Sequence, residues 1–199
     1  ARYKTRIELI EFNALDFGNH NQAFHQAVET LGGVDIVLVA YGTLPNQEKA
    51  QNDIEYAIEH FNINATSIIS LSSIVANYFE EKGSGTLAVI SSVAGDRGRK
   101  SNYLYGSAKG AISIFLQGLR NRLSRKNVSV ITIKPGIVDT PMTAHLPKNF
   151  LFAKVDVVAR SIFEGINAQK DIIYVPGYWR LIMCVIKHIP ETIFKRLNL

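Results

Sequence analysis

The chain is 199 residues long and 47% hydrophobic, with 22 Lys and Arg against 17 Asp and Glu, a formal charge of +5. That length and apolar content suit one substantial core, so a single domain over 1–199 is expected. One cysteine, Cys184, excludes an internal disulfide framework and fits a reducing cytosol, and the modest, dispersed charge argues against a nucleic-acid partner.

Residues 6–12 alternate apolar and polar, the period of a half-buried strand, and the opening with Arg2, Lys4 and Arg6 does not read as a signal peptide. Ala23, Phe24, Ala27, Val28 and Leu31 recur at helical spacing and stop at Gly32 and Gly33. Residues 36–40 are a continuous apolar run, as a strand buried on both faces should be. A long helical region is expected over 52–81, then a strand at 86–90 ending in Ser91 and Ser92. A helix over 103–125, a strand at 128–133, a helix over 156–167, a strand at 172–175 and an apolar, basic helix over 178–199 complete the reading. No apolar run approaches the ~18 residues of a membrane span. Alternation at this pace implies an α/β domain with an open parallel sheet covered by helices. Ligands of such sheets bind beyond the carboxyl ends of the strands, where Ala40, Gly42, Ser92, Pro135 and Gly136 all fall.

The chemistry concentrates between Ser92 and Lys109. Tyr105 lies thirteen residues past Ser92, and Lys109 four further on, so the phenol and the ammonium share one helix face. A cation beside a phenol favours phenolate and is expected to bring the Tyr105 pKa down from about 10, making it a usable general acid or base. A serine hydroxyl from a strand end adds a hydrogen bond to a carbonyl at the same point. In outline this is a site for carbonyl reduction or alcohol oxidation, and no metal is implied.

Together with the Pro-Gly pair after the next strand, the pattern resembles the short-chain dehydrogenase/reductase family over essentially the whole chain. The resemblance implies a Rossmann-like, doubly wound parallel sheet and reduction of a keto group with NAD or NADP. It also implies roles for individual residues. Tyr105 protonates the substrate oxygen, Lys109 binds the nicotinamide ribose and tunes the tyrosine, Ser92 orients the carbonyl, and Asn64 completes a proton relay. Asn13 and Ala14 resemble the family's adenine-contacting turn, or else form a plain Asx turn. Ala40 and Gly42 stand where the family's backbone passes the adenosine ribose, with only Gly42 matching and Tyr41 replacing an alanine. Pro135 and Gly136 are expected against the nicotinamide, Val138 near its carboxamide and Thr140 near the phosphates, unless they are only a strand-ending turn. The family's glycine-rich pyrophosphate turn has no counterpart in 1–199. The first βαβ portion is therefore expected to be missing, and residues 1–199 alone to bind cofactor poorly.

Arg97, Arg99 and Lys100 form a basic loop before Tyr105 that is either simply solvated or a phosphate clamp, since guanidinium groups bind phosphate bidentately. Residues 178–199 carry Trp179, Ile182, Val185, Ile186, Ile189 and Phe194 with four Lys/Arg against one Glu. They read as a helix at a membrane interface, on the inner face of a cytoplasmic membrane, or as one packed on the body or a subunit contact. Residues 8–16, 91–97, 142–146 and 187–197 resemble one branch in particular, the decaprenylphosphoryl-2-keto-erythro-pentose reductases. That resemblance implies a polyprenyl-phosphate-linked 2-keto-pentose substrate, a role in cell-wall biogenesis, His145 near the substrate, and assembly as a homo-oligomer. Two alternatives stand beside it: a reductase of another small or acyl-linked carbonyl, and a non-catalytic association protein on the same scaffold.

Overall fold

The computed structural model describes residues 5–144 and 146–197. Four parallel strands, β1 (Ile36–Val39), β2 (Gly85–Ile90), β3 (Val128–Pro135) and β4 (Ile172–Val175), pair in the order β1-β2-β3-β4. Parallel neighbours require crossovers, and helices supply them. These are α3 (Ile54–Phe61) and α4 (Ser67–Lys82) between β1 and β2, α5 (Tyr103–Leu123) between β2 and β3, and α6 (Val155–Asn167) between β3 and β4. Alternate side chains of each strand face opposite layers. Leu87, Val89 and Val130 pack with Ile68, Val75 and Phe79 of α4 and Ile112 and Leu116 of α5. Ala88, Ile131 and Ile133 pack on the other face with Val158, Ile162 and Ile166 of α6. The sheet is thus covered on both faces, as its near-continuous apolar strands require.

Two expected elements differ. Residues 6–12 form no strand: Ile7 and Leu9 are 76% and 94% exposed, and the segment has no ladder partner among the described residues. An alternating pattern becomes a strand only where a neighbour takes its backbone hydrogen bonds. The segment is held instead by the Phe12 ring, 4.8 Å from the His20 ring and 5.7 Å from that of Tyr41. The C-terminal helix is two helices, α7 (Trp179–His188) and α8 (Glu191–Phe194), split where Ile189 turns extended ahead of Pro190. A helix α1 (His20–Leu31) precedes β1 and closes at Gly32 in a left-handed conformation, φ 74°. A short α2 (Gln47–Ala50), absent from the periodicity, is capped by the Asn46 side chain. Among the described residues no helix is long and apolar enough to cross a membrane.

Candidate active site

Between α3 and α4 the helix widens into a single π turn, Asn62–Thr66, and Asn64 sits in it, buried. Such bulges re-aim a side chain without ending the helix. The Asn64 amide donates to the Thr43 hydroxyl and to the His60 carbonyl, both at 2.9 Å, while its oxygen accepts from the Thr43 N–H at 2.9 Å. The Thr43 hydroxyl lies 2.7 Å from His60 Nδ1. Gly42 is bare because a Cβ there would stand 2.8 Å from the Asn64 oxygen and 3.5 Å from the Lys109 ammonium.

Ser92 follows β2 by two residues and opens a 3-10 turn, Val93–Asp96, its hydroxyl accepting from the Ala94 N–H at 3.1 Å. The turn packs on α5 so closely that a Cβ at Gly95 would meet the Lys109 carbonyl at 2.7 Å. That contact sets the serine hydroxyl beside Tyr105. Lys109, one turn along α5, is 3% exposed; its Nζ donates to the Ile90 carbonyl at 3.0 Å and lies 5.6 Å from the Tyr105 ring centre.

The electrostatics correct one expectation. Burial pushes the Tyr105 phenol up from its ordinary pKa, and the Ser92 hydroxyl pulls it only partly back. The phenol therefore stays above its ordinary pKa, and the same kind of burial brings the Lys109 ammonium down to about 8. At neutral pH the pair is a protonated phenol beside a lysine that still carries its charge.

Tyr105 lines an apolar cavity of about 690 Å³. Pro135, Gly136, Val138 and Thr140 line it as well, with Leu44, Met142, Leu146, Val155 and Phe163 as further apolar wall. Arg99 and Asn102 add polar groups, and the Arg99 Nε is buried with no partner. Trp179 closes the cavity against Gly136, where a side chain of any size would overlap the indole.

The other residues singled out from the sequence fall as follows. Asn13 makes the Asx turn, its side-chain oxygen accepting from the Leu15 N–H at 3.0 Å, and the Ala14 carbonyl lies 3.2 Å from His20 Nε2. Ala40 is exposed at the end of β1, and Tyr41 bonds Ser67 at 2.9 Å. Arg97 does not face the cavity. It donates to the Ile186 and Ile189 carbonyls at 2.7 and 2.6 Å and pairs with Glu191 at 2.9 Å. A helix end carries carbonyls without helical partners, and this guanidinium satisfies those of α7. Lys100 is exposed and, with Arg99, Lys195 and Leu197, borders a second cavity of about 210 Å³. His145 lies outside the described residues. The interfacial reading of the tail is corrected in part. Trp179, Met183 and Phe194 are buried in the body, at 4%, 1% and 9% exposure, while Leu181, Val185 and Ile193 face outward. Sequence reasoning passed over Trp179 as a site residue, along with Thr43 and Asn102. A lone Trp four residues past a strand end was the available signal for the first, and nothing local marked the others.

The donor set fits a nicotinamide riboside. The ammonium of Lys109 spends one of its three N–H groups on Ile90, which leaves donors for a vicinal diol beside a phenol and a bare glycine backbone. An open parallel sheet with a buried Ser and Lys and a half-buried Tyr at its carboxyl edge is the arrangement of an NAD(P)-dependent oxidoreductase. A model of the family described as short chain dehydrogenase matches residues 1–150. An uncharacterized oxidoreductase from the mprA 5' region of Streptomyces coelicolor is 32% identical over 191 residues, covering 96% of this chain and 75% of that protein. An uncharacterized oxidoreductase of Mycobacterium tuberculosis is 28% identical over 187 residues, covering 94% and 75%. In shape the chain is similar to a short chain dehydrogenase from Burkholderia cenocepacia in complex with NADP. The TM-score is 0.80 at 16% identity, over 96% of this chain and 80% of that one. A gluconate 5-dehydrogenase from the same species, with NADP and tartrate, gives 0.74 at 17% identity over 86% and 74%. The chain belongs to the short-chain dehydrogenase family.

Proposed function

We propose that the protein reduces a keto group to an alcohol, with Tyr105 delivering the proton and Ser92 holding the carbonyl oxygen. The observation that carries this reading is the convergence of Ser92, Tyr105 and Lys109 at the carboxyl edge of the sheet, with the phenol opening into an apolar cavity. NAD or NADP supplies the hydride when bound. Lys109, Pro135, Gly136, Val138 and Thr140 would hold its nicotinamide end, and Asn13, Ala14, Ala40 and Gly42 its adenosine end. The buried phenol keeps its proton at neutral pH and so is ready to protonate an oxygen as negative charge develops there. The Lys109 ammonium stands 5.6 Å from the Tyr105 ring centre, and Asn64 fixes the Thr43 N–H with its side-chain oxygen. Tyr105→Phe in the full-length protein is the test. Its kcat should fall by roughly 10²–10⁴-fold while dinucleotide binding, followed by fluorescence, changes little. Retention of most of the wild-type kcat would overturn the assignment.

For the substrate, the cavity favours a ketone with a large apolar part and one anionic group. Leu44, Met142, Leu146 and Phe163 supply apolar wall, and Arg99, with its unpartnered Nε, borders both this cavity and the smaller basic one. A polyprenyl-phosphate-linked 2-keto-pentose has this character. Outward-facing Leu181, Val185 and Ile193, with Arg180, Lys187 and Lys195 nearby, would let the α7–α8 face rest on an anionic membrane that holds such a substrate. Arg99→Ala should raise KM for a phosphate-bearing ketone about tenfold or more and leave a neutral ketone unchanged. Equal effects on both would favour a small or acyl-linked carbonyl instead.

A further inference from the structure

Behind the site lies an ion pair that the reaction does not use. The Lys134 ammonium pairs with the Asp96 carboxylate, the two side chains being 7% and 3% exposed. The Tyr174 hydroxyl donates to the second carboxylate oxygen at 2.8 Å, and the ammonium lies 5.6 Å from the Tyr174 ring centre. Burial, and then the Asp96 carboxylate, push the Tyr174 phenol well above its ordinary range, so it stays a donor. None of the three side chains lines the cavity.

Their places in the chain are what matter. Asp96 closes the 3-10 turn that Ser92 opens. Lys134 immediately precedes Pro135 and Gly136, and pairs in register with Tyr174 on β4. The Gly136 N–H donates to the carbonyl of Val175, the residue after Tyr174. The triad therefore ties the end of β2 to the ends of β3 and β4, across the edge where the reaction takes place. Burying two charges gives back in desolvation much of what their attraction supplies, so such a pair does little for stability. Its best-attested use is to fix one arrangement among several. Apolar residues of similar size would hold the strands together equally well, but without fixing the separation of their ends.

We propose that Asp96, Lys134 and Tyr174 are positioning residues that set the distance between the Ser92 hydroxyl and the Pro135–Gly136 turn. The proposal rests on the reading of those two elements as the reaction site.

The test uses the full-length protein with four variants, Asp96→Asn, Asp96→Glu, Tyr174→Phe and the double variant Asp96→Leu/Lys134→Met, beside Tyr105→Phe. Thermal unfolding, kcat and KM are measured, along with the emission of Trp179, the single tryptophan of residues 1–199, which abuts Gly136. The double variant should unfold at a temperature close to wild type yet lose about tenfold or more in kcat, with KM nearly unchanged and the Trp179 emission shifted. Tyr174→Phe should show the same split at smaller size, and Asp96→Glu should recover part of the kcat lost in Asp96→Asn. If the double variant and Tyr174→Phe keep kcat and Trp179 emission at wild-type values while Tyr105→Phe is inactive, the clamp is wrong and the site reading stands. If Tyr105→Phe remains active, the site reading itself fails. A double variant that does not fold, with Tyr174→Phe at wild-type kcat and emission, makes the pair purely structural and overturns the proposal.

Discussion

The guanidinium of Arg97 lies 3.7 Å from the ring centre of Phe194, stacked on it while its N–H groups bond the end of α7. Ninety-seven residues separate the two, yet the contact joins the segment after Ser92 to the C-terminus of the described chain. The residue before Arg97 turns inward to Lys134, so one short segment is anchored on both sides.

Arg97→Ala should therefore loosen α7 and α8. The side chain is 15% exposed and serves several carbonyls, one carboxylate and one ring. Its loss should destabilise the fold by roughly 2–4 kcal/mol, measured by urea unfolding. Hydrogen exchange should speed up over residues 179–194 before it does elsewhere. Arg97→Lys should recover little, since an ammonium cannot reproduce the fork or the stacking.

Stability should rise with pH through the Lys109 window. The folded-state pKa of about 8 lies below the 10.5 of the unfolded chain. Between those values the unfolded chain holds a proton that the folded chain has released, so stability grows as pH rises. Below about 8 both states are protonated, and the penalty of the buried charge is present in full. The gain across the window should be up to about 3 kcal/mol. Tyr105, with its raised pKa, opposes it only above the ordinary phenol value of about 10. Melting temperatures of wild type and Lys109→Met across this range provide the check, and the variant should show no such rise.

The two directions of the reaction should respond differently to pH. Reduction needs the protonated phenol, which burial preserves well into the alkaline range. Alcohol oxidation needs a phenolate to take up the proton, so its rate should keep climbing with pH over the same span. Initial rates in both directions, taken with saturating dinucleotide, give the comparison. A reduction rate that falls through neutral pH would assign proton delivery to another group.

Gly42→Ala should impair catalysis more than folding. Its methyl would press on the Asn64 oxygen at 2.8 Å and approach Lys109 at 3.5 Å. Displacing the amide would disturb its bonds to Thr43 and the loop beyond it. A fall in kcat of about 10²-fold is expected from a shift of this size near the reacting groups. Thermal unfolding should stay close to wild type.

The sequence by itself determined the parts that depend on local periodicity and on chain ends. Apolar runs marked β1 to β4, although Ile36 and Leu38 of β1 are 52% and 46% exposed rather than buried on both faces. Helical spacing put Tyr105 and Lys109 on one face, and the strand end put Ser92 across from them. The tertiary structure decided what each charge and each apolar tail residue does. Arg97, Arg99 and Lys100 look alike in sequence, yet one caps a helix 89 residues away, one borders the cavity and one meets solvent. Trp179 read as an interfacial residue and lies instead on Gly136. Residues 6–12 have strand periodicity, but among the described residues no neighbour completes a ladder with them. The physical reason is common to all of these. Desolvation and hydrogen-bond partners come from segments distant in the chain, so a buried ion pair such as Asp96–Lys134 leaves no local mark beyond one lysine inside an apolar strand.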